Sequence, residues 1–236
     1  MSAPVPQLLA ADVRHELSAV ADPSRAPAMQ AYMKSTMPFY GVPAPAQRKV
    51  FTACFARHPL LDRASFETAV LLLWDDATHR EERYAAVALA RRKPYRRWLD
   101  HDSLGWLDHL VVTGAWWDHV DAIAAHLVGP VLRREPTVVA PTIRRWAVDE
   151  HMWRRRTAIL SQLAAKDDTD TALLVDCIEP SLASKEFFLR KAIGWALRQY
   201  AYSDPRWVTD YVRDHRDVLS PLSAREATKH LPPPTG

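Results

Sequence analysis

The strongest constraint on the fold is a short motif that recurs at a nearly constant interval. Arginine followed two residues later by alanine opens four segments that turn apolar immediately afterwards: Arg83-Tyr84-Ala85, Arg156-Thr157-Ala158, Arg190-Lys191-Ala192 and Arg225-Glu226-Ala227. The last three arginines are 34 and 35 residues apart, and Arg83 precedes Arg156 by 73 residues, close to two intervals. A period of this length is typical of solenoids built from two-helix repeats.

Apolar spacing supports helices along the whole chain. Apolar residues recur at intervals of three and four, as in Ile193, Ala196, Leu197 and Tyr200, and no segment alternates convincingly as a strand would. Helix ends are predicted at Asp22-Pro23, Gly41-Val42-Pro43, Lys93-Pro94, Gly129-Pro130, Glu135-Pro136, Glu179-Pro180 and Asp204-Pro205. We therefore predict an all-α fold, a curved superhelical solenoid of HEAT-like two-helix repeats. It should form one domain over residues 1–231, followed by a flexible, proline-rich tail at 232–236.

Composition narrows the setting of the protein. The 236 residues contain no run of eighteen apolar residues and no N-terminal signal pattern, so no membrane association is expected. Only two cysteines occur, Cys54 and Cys177, which suits a reducing cytoplasm. The ten histidines show no metal-ligand spacing, and we predict neither a metal nor another cofactor. Arginine outnumbers lysine by 24 to 7, which suits phosphate binding, but GC-rich codons also produce this bias, so it does not by itself indicate a function.

A solenoid places equivalent residues of successive repeats side by side on one surface. The row reads Arg83, Asp121, Arg156, Arg190 and Arg225, because Asp121 stands at the register where another arginine would fall. Four cations in a line could follow a phosphate backbone. Alternatively, each arginine pairs with an acid of the neighbouring repeat. The single carboxylate in a cationic row indicates chemistry at a point where positive charge develops.

Several motifs, in this order, resemble the AlkD family of DNA glycosylases, which are built from HEAT-like repeats. The matching segments are Ala31-Tyr32-Met33-Lys34, Gly41-Val42-Pro43-Ala44-Pro45, Trp116-Trp117-Asp118-His119-Val120-Asp121, Met152-Trp153-Arg154-Arg155-Arg156, Lys191-Ala192-Ile193-Gly194-Trp195 and Pro221-Leu222-Ser223-Ala224-Arg225-Glu226-Ala227. The resemblance extends from about Met29 to His230. The chain departs from the family pattern in the added arginines at 154 and 155, and in Gln199, where an acid is expected.

The resemblance implies that Trp117, Asp121, Arg156 and Trp195 are the catalytic residues and surround the sugar and phosphate of the damaged nucleotide, with Arg156 on the phosphate. Trp117 and Asp121 are four residues apart and so share a helical face. Cleavage of an N-glycosidic bond builds oxocarbenium character on the sugar, which a carboxylate stabilises. Alkylated purines already carry positive charge and leave without a proton. Asp118 is a structural partner or a second candidate for the catalytic acid.

Further contacts to duplex DNA are predicted for Tyr32, Arg83, Arg154, Arg155, Arg190, Lys191, Arg198 and Arg225, although Tyr32 could instead be a half-buried packing residue. The predicted function is excision of N3-alkyladenine, N7-alkylguanine and their bulky counterparts from duplex DNA in base excision repair. A cytoplasmic monomer without an obligatory protein partner, associated with the bacterial nucleoid when bound, is expected. Two alternatives stay open: a non-catalytic nucleic-acid-binding repeat protein, and a self-resistance glycosylase specialised for bulky natural-product adducts.

Overall fold

The computed structural model describes residues 4–231, and these separate into two compact units, residues 4–98 and 99–231. All regular structure in the described range is helical, with fourteen α-helices joined by turns and short 3-10 or π segments. The all-α prediction is therefore confirmed. The predicted flexible tail at 232–236 lies outside the described residues, and the single domain over 1–231 stays a prediction.

The first unit contains five α-helices: α1 (Val5–Ala19), α2 (Ala26–Met33), α3 (Ala44–Arg57), α4 (Arg63–Asp75) and α5 (Arg80–Ala90). Helices α3 and α4 both pack against α1 and against α5. The core consists of large side chains that are fully buried between these helices: Leu9, Leu17, Phe66, Leu73, Trp74 and Leu89. Burying each such side chain contributes about 1.5–3 kcal/mol, which is what holds the helices together.

The turn that precedes α3 wraps around a buried carboxylate. Glu81 on α5 is fully buried and accepts hydrogen bonds from the backbone N–H groups of Tyr40, Gly41 and Val42 at 3.0, 3.0 and 3.2 Å. Gly41 has a φ of +82°, and a Cβ there would lie 2.1 Å from the backbone oxygen of Asp22. Only glycine fits this close approach. The Gly41-Val42-Pro43 segment is thus a structural element that fixes the start of α3.

Glu81→Gln should lower the free energy of unfolding by about 2 kcal/mol, because hydrogen bonds to a buried charged group are worth about 1.5–3 kcal/mol and an amide offers only one oxygen. Glu67→Gln is the matched control, since Glu67 pairs with Arg63 on the surface of α4. A surface pair of this kind contributes about 0.5 kcal/mol. Urea unfolding followed by circular dichroism measures both changes. Equal losses in the two variants would contradict the structural role of Glu81.

The second unit contains nine α-helices: α6 (Leu104–Gly114), α7 (Trp117–Ile123), α8 (Gly129–Arg134), α9 (Pro136–Ala147), α10 (Met152–Leu160), α11 (Thr171–Ile178), α12 (Phe187–Tyr200), α13 (Pro205–Asp214) and α14 (Pro221–Thr228). Helix α10 packs against α7 and α12, and α12 packs against α14. These helices carry Asp121, Arg156, Arg190 and Arg225. Within this unit the four predicted repeat positions therefore lie on helices that stack in chain order.

Prolines and capping side chains end several helices where the sequence predicts. Pro205 is the first residue of α13, and the Asp204 side chain accepts a hydrogen bond from the Trp207 N–H. At the start of α14, Pro221 takes the same place and Ser220 is the cap. Proline fits the first helical position because its missing N–H has no intrahelical partner there.

The predicted helix end at Gly129-Pro130 is wrong. A π-helical turn, Ala124–Val128, joins α7 to α8 without a break, and the Gly129 N–H donates to the Ala124 carbonyl. The wider turn accommodates Pro130, which has no N–H to donate and would crowd an ordinary helical turn. A Cβ at Gly129 would lie 2.5 Å from the Ser161 carbonyl oxygen. The dipeptide therefore marks a widened turn that packs closely on the end of α10.

Candidate active site

Asp121 of α7 and Arg156 of α10 form a bidentate ion pair in the second unit. Arg156 Nε and Nη2 donate to the two carboxylate oxygens at 2.7 and 2.8 Å. Arg156 Nη1 donates to the carbonyl oxygen of Phe188 in α12. The Arg156 side chain is only 4% exposed, whereas the Asp121 side chain is 14% exposed. The guanidinium is thus engaged inside the protein, and the carboxylate retains access to solvent.

This pair connects successive repeats, since Asp121 and Arg156 are 35 residues apart. The sequence left open whether each arginine of the row pairs with an acid of the neighbouring repeat. Arg156 does so, and its partner is Asp121 of the preceding repeat. An aromatic cluster of Trp116, Trp153 and Phe188, with ring centroids 5.1 to 6.1 Å apart, packs the starts of α7, α10 and α12 together. Packing and ion pair together fix where the Asp121 carboxylate lies.

A groove of about 510 Å³ lies beside the carboxylate. Trp117 and Asp121 of α7 line one part of it, Trp195 of α12 lines another, and the π-helical turn contributes Ala125 and His126. Three of the four predicted catalytic residues therefore share one groove, and the fourth, Arg156, holds one of them. A π-helical turn inside a helix is frequently found at functional sites.

Burial raises the pKa of Asp121 above its usual value of 3.8, although the hydrogen bonds from Arg156 oppose that rise. The negative charge of Asp118 acts in the same direction as burial. Asp118 also lines the groove, and its carboxylate accepts a hydrogen bond from the His119 N–H at 2.9 Å. The Asp121 carboxylate is held by a buried guanidinium through two hydrogen bonds, which fix its orientation. Fixed orientation favours Asp121 as the reactive group.

Three of the predicted DNA-contacting residues are neutralised by carboxylates. Arg154 donates two hydrogen bonds of 2.7 Å to Asp108. Lys191 and Arg198 both bind Glu226, at 2.7 and 2.6 Å. The pair of Lys191 and Glu226 again spans 35 residues, the length of one repeat. In this structure these cations link neighbouring helices, and their contacts to DNA stay predictions.

The remaining predicted contacts are placed differently. In the described part of the chain, no carboxylate lies within ion-pair distance of Arg155, Arg190 or Arg225. In the first unit, the Arg83 guanidinium lies 4.8 Å from the ring centroid of Trp74. Tyr32 is 77% exposed, which contradicts the half-buried alternative. None of these residues lines the groove.

Other reactive groups lie away from the groove. Cys54 and Cys177 are buried free thiols, and burial raises the pKa of each to about 12. Within residues 4–231, no group of three or more His, Cys, Asp or Glu side chains is placed to hold a metal ion. Over the same range, no helix combines the length and the apolar character needed to cross a membrane.

Two groups at the site escaped the sequence interpretation. The Phe188 carbonyl binds Arg156, but a backbone oxygen carries no sequence signal. Lys166 lines the groove from the segment between α10 and α11. Because Asp167 and Asp168 follow it directly, the segment has the charge pattern of an ordinary solvated loop. Neither residue could be recognised from periodicity.

Fold and site together define an all-helical repeat protein with a carboxylate, fixed by a buried arginine, in a groove lined by two tryptophans. The chain belongs to the family of DNA alkylation repair enzymes, whose model matches residues 13–231. This confirms the resemblance drawn from the motifs and supports a role in the repair of alkylated DNA, with DNA as the substrate.

One similar solved structure is described as a predicted DNA alkylation repair enzyme from Enterococcus faecalis. It shares 32% sequence identity with this chain, with a TM-score of 0.80, over 89% of this chain and 96% of that chain. A comparison with curated proteins gives no significant match.

Proposed function

We propose that this protein is a DNA glycosylase that hydrolyses the N-glycosidic bond of N3-alkyladenine and N7-alkylguanine in duplex DNA, as the first step of base excision repair. The observation that carries the proposal is the Asp121 carboxylate, fixed by Arg156 at 2.7 and 2.8 Å, in a groove shared with Trp117 and Trp195.

The chemistry follows from the charge of the substrate. When the bond between C1′ and the base nitrogen breaks, its electron pair neutralises the cationic alkylated purine, which leaves without a proton. Positive charge then develops on the sugar, where the Asp121 carboxylate stabilises it and orients the water that adds to C1′. The proton of that water passes to the carboxylate or to solvent. Tryptophan faces stabilise a cation by about 0.5–2 kcal/mol each, which suits Trp117 and Trp195.

A different repair reaction would transfer the alkyl group from the base to a cysteine, and the thiols of this chain are poorly suited to it. That reaction needs an accessible thiolate. Cys54 and Cys177 are buried, and their pKa values are raised to about 12. Hydrolysis at the carboxylate groove is therefore the reaction that the described side chains support best.

The lining of the groove supports a second candidate substrate, the bulky adducts of a self-resistance enzyme. Ala122, Ala125 and Ala164 line the groove. Their small side chains leave space beside the carboxylate for an adduct larger than a methyl group. Bulky adducts are accordingly included in the test of the function.

The proposal is tested with three duplexes that carry a single N3-methyladenine, N7-methylguanine or bulky N3-adenine adduct. Purified protein is incubated with each, and the released base is measured by mass spectrometry. We expect release of both methylated bases, and faster release of the bulky base if the protein serves self-resistance. Tight binding of all three duplexes with no base released would favour the non-catalytic alternative instead.

The excision rate should depend on pH in a way set by Asp121. Because the pKa of Asp121 lies above 3.8, its carboxylate becomes protonated at a higher pH than an ordinary aspartate would. The protonated form carries no charge and is inactive. The single-turnover rate should therefore rise with pH through a pKa above that value. Measurement on N7-methylguanine duplex, with spontaneous depurination subtracted, checks this. A rate that is independent of pH down to the ordinary aspartate range would contradict it.

A further inference from the structure

Lys166 is the one lysine or arginine among the described residues that line the groove with Asp118 and Asp121. Its side chain is exposed, and its backbone has a left-handed φ of +56°. A residue with a Cβ adopts this conformation at a cost of about 1–2 kcal/mol, so the surrounding segment determines the backbone conformation at Lys166. No carboxylate of the described chain forms an ion pair with it. The ammonium is therefore free to bind an anion.

Arg156 is poorly placed for that task. Its Nε, Nη1 and Nη2 all donate to Asp121 or to the Phe188 carbonyl. Its side chain is 4% exposed and is not part of the groove lining. A phosphate could reach it only by displacing Asp121. The geometry makes Arg156 a positioning residue for the carboxylate.

The acids next to Lys166 do not occupy its place. Asp168 lines a separate cleft, together with Arg133 and Arg144 on α8 and α9. Asp167 is exposed and lines neither cleft. Of the three consecutive charged residues, Lys166 alone lines the groove. A nucleotide whose sugar lay beside Asp121 would bring its flanking phosphates close to the other residues that line the groove, and Lys166 is the cation among them.

We propose that Lys166 binds a backbone phosphate of the lesion-bearing strand in this groove, the contact that the family resemblance implied for Arg156. The inference rests on one part of the proposed function, namely that DNA binds in this groove. It makes Lys166 a binding residue, with Asp121 acting on the sugar and Lys166 fixing the neighbouring phosphate.

Salt dependence of binding provides the first test. Lys166→Gln keeps a long side chain and removes one charge, and a duplex with a tetrahydrofuran abasic site serves as the probe. Loss of one phosphate contact should reduce the slope of log K against log salt by about 0.9. When salt is raised from about 50 to about 200 mM, the affinity of each protein falls, and the fold-loss of the variant should be about three times smaller than that of the unaltered protein. Lys166→Arg should restore the slope.

Lys185→Gln is the matched control, because Lys185 is an exposed lysine of the same unit that does not line the groove. It removes the same charge and should leave the slope unchanged. A slope that is the same for Lys166→Gln and the unaltered protein would overturn the proposal. So would equal changes in both glutamine variants, which would reveal only a long-range effect of net charge.

A series of probes with one neutral methylphosphonate linkage identifies the phosphate. For the unaltered protein, one linkage near the abasic site should weaken binding. For Lys166→Gln, the same linkage should have no further effect, because the contact is already lost. The assignment is wrong if every linkage weakens binding by Lys166→Gln as much as it weakens binding by the unaltered protein. It is also wrong if the effect of the sensitive linkage disappears in Arg156→Lys instead. These are binding measurements, so coupling without base release would refute the glycosylase alone, and base release without coupling would refute only the role of Lys166.

Discussion

Asp121→Asn is expected to reduce the single-turnover rate of N7-methylguanine excision by about a hundred- to a thousand-fold. Fixed electrostatic groups of this kind are typically worth about 3–4 kcal/mol of barrier. The amide keeps the shape of the side chain and still accepts a hydrogen bond from Arg156, but it has no charge with which to stabilise the sugar cation.

DNA binding by Asp121→Asn should hold or tighten, because the substitution removes a negative charge that faces phosphates. Stability should fall in either case, because asparagine leaves the buried Arg156 guanidinium without its counter-charge. A purely structural aspartate would lower binding and rate together, in proportion to the folded fraction. Asp118→Asn is the matched control on the same helix and should retain most of the rate. If Asp121→Asn excises at nearly the native rate and Asp118→Asn does not, the catalytic assignment moves to Asp118. If both are active, the catalytic interpretation of the groove is wrong.

Arg156→Ala is expected to have the largest combined effect, on stability as well as on rate. Removing one partner of a buried ion pair leaves an uncompensated charge and typically costs about 3–5 kcal/mol of unfolding free energy. The excision rate should fall as well, since the carboxylate is no longer held. Denaturant unfolding and single-turnover kinetics measure the two effects separately.

Two further variants keep this prediction testable if the alanine variant does not fold. Arg156→Lys preserves the charge but cannot donate the two parallel hydrogen bonds, so it should recover stability and rate only in part. Combining Asp121→Asn with Arg156→Ala should destabilise less than the sum of the single changes, because the pair shares one interaction. Strict additivity, or full activity of Arg156→Ala, would contradict the role given to Arg156.

The helical architecture could be predicted because it depends on local rules. Proline at the start of α13 and a capping aspartate before it act within a few residues. The repeat period was visible because equivalent positions must stack, as Asp121 and Arg156 do. Gly129-Pro130 misled the interpretation, since the π-helical turn that tolerates Pro130 depends on packing against Ser161, which is remote in sequence.

The sequence predicted which residues form the site better than it predicted which of them contact one another. Trp117, Asp121 and Trp195 could be recognised from motifs, and they do line one groove. The sequence pattern of a row of charges does not reveal which members face one another. The burial of Arg156 against Asp121 therefore became evident only in the three-dimensional structure. Lys166 was missed because an unusual backbone conformation at a lysine leaves no trace in composition.

The most direct test of the proposed function is the identity of the product formed from a duplex that carries one isotopically labelled N7-methylguanine. Free 7-methylguanine, abasic sites and unmodified guanine in the strand are quantified together by mass spectrometry. Hydrolysis of the N-glycosidic bond predicts one free labelled base and one abasic site for every lesion lost, with Asp121→Asn slower by at least about a hundred-fold. Guanine restored within an intact strand, or base release at equal rates by the native protein and Asp121→Asn, would contradict the account.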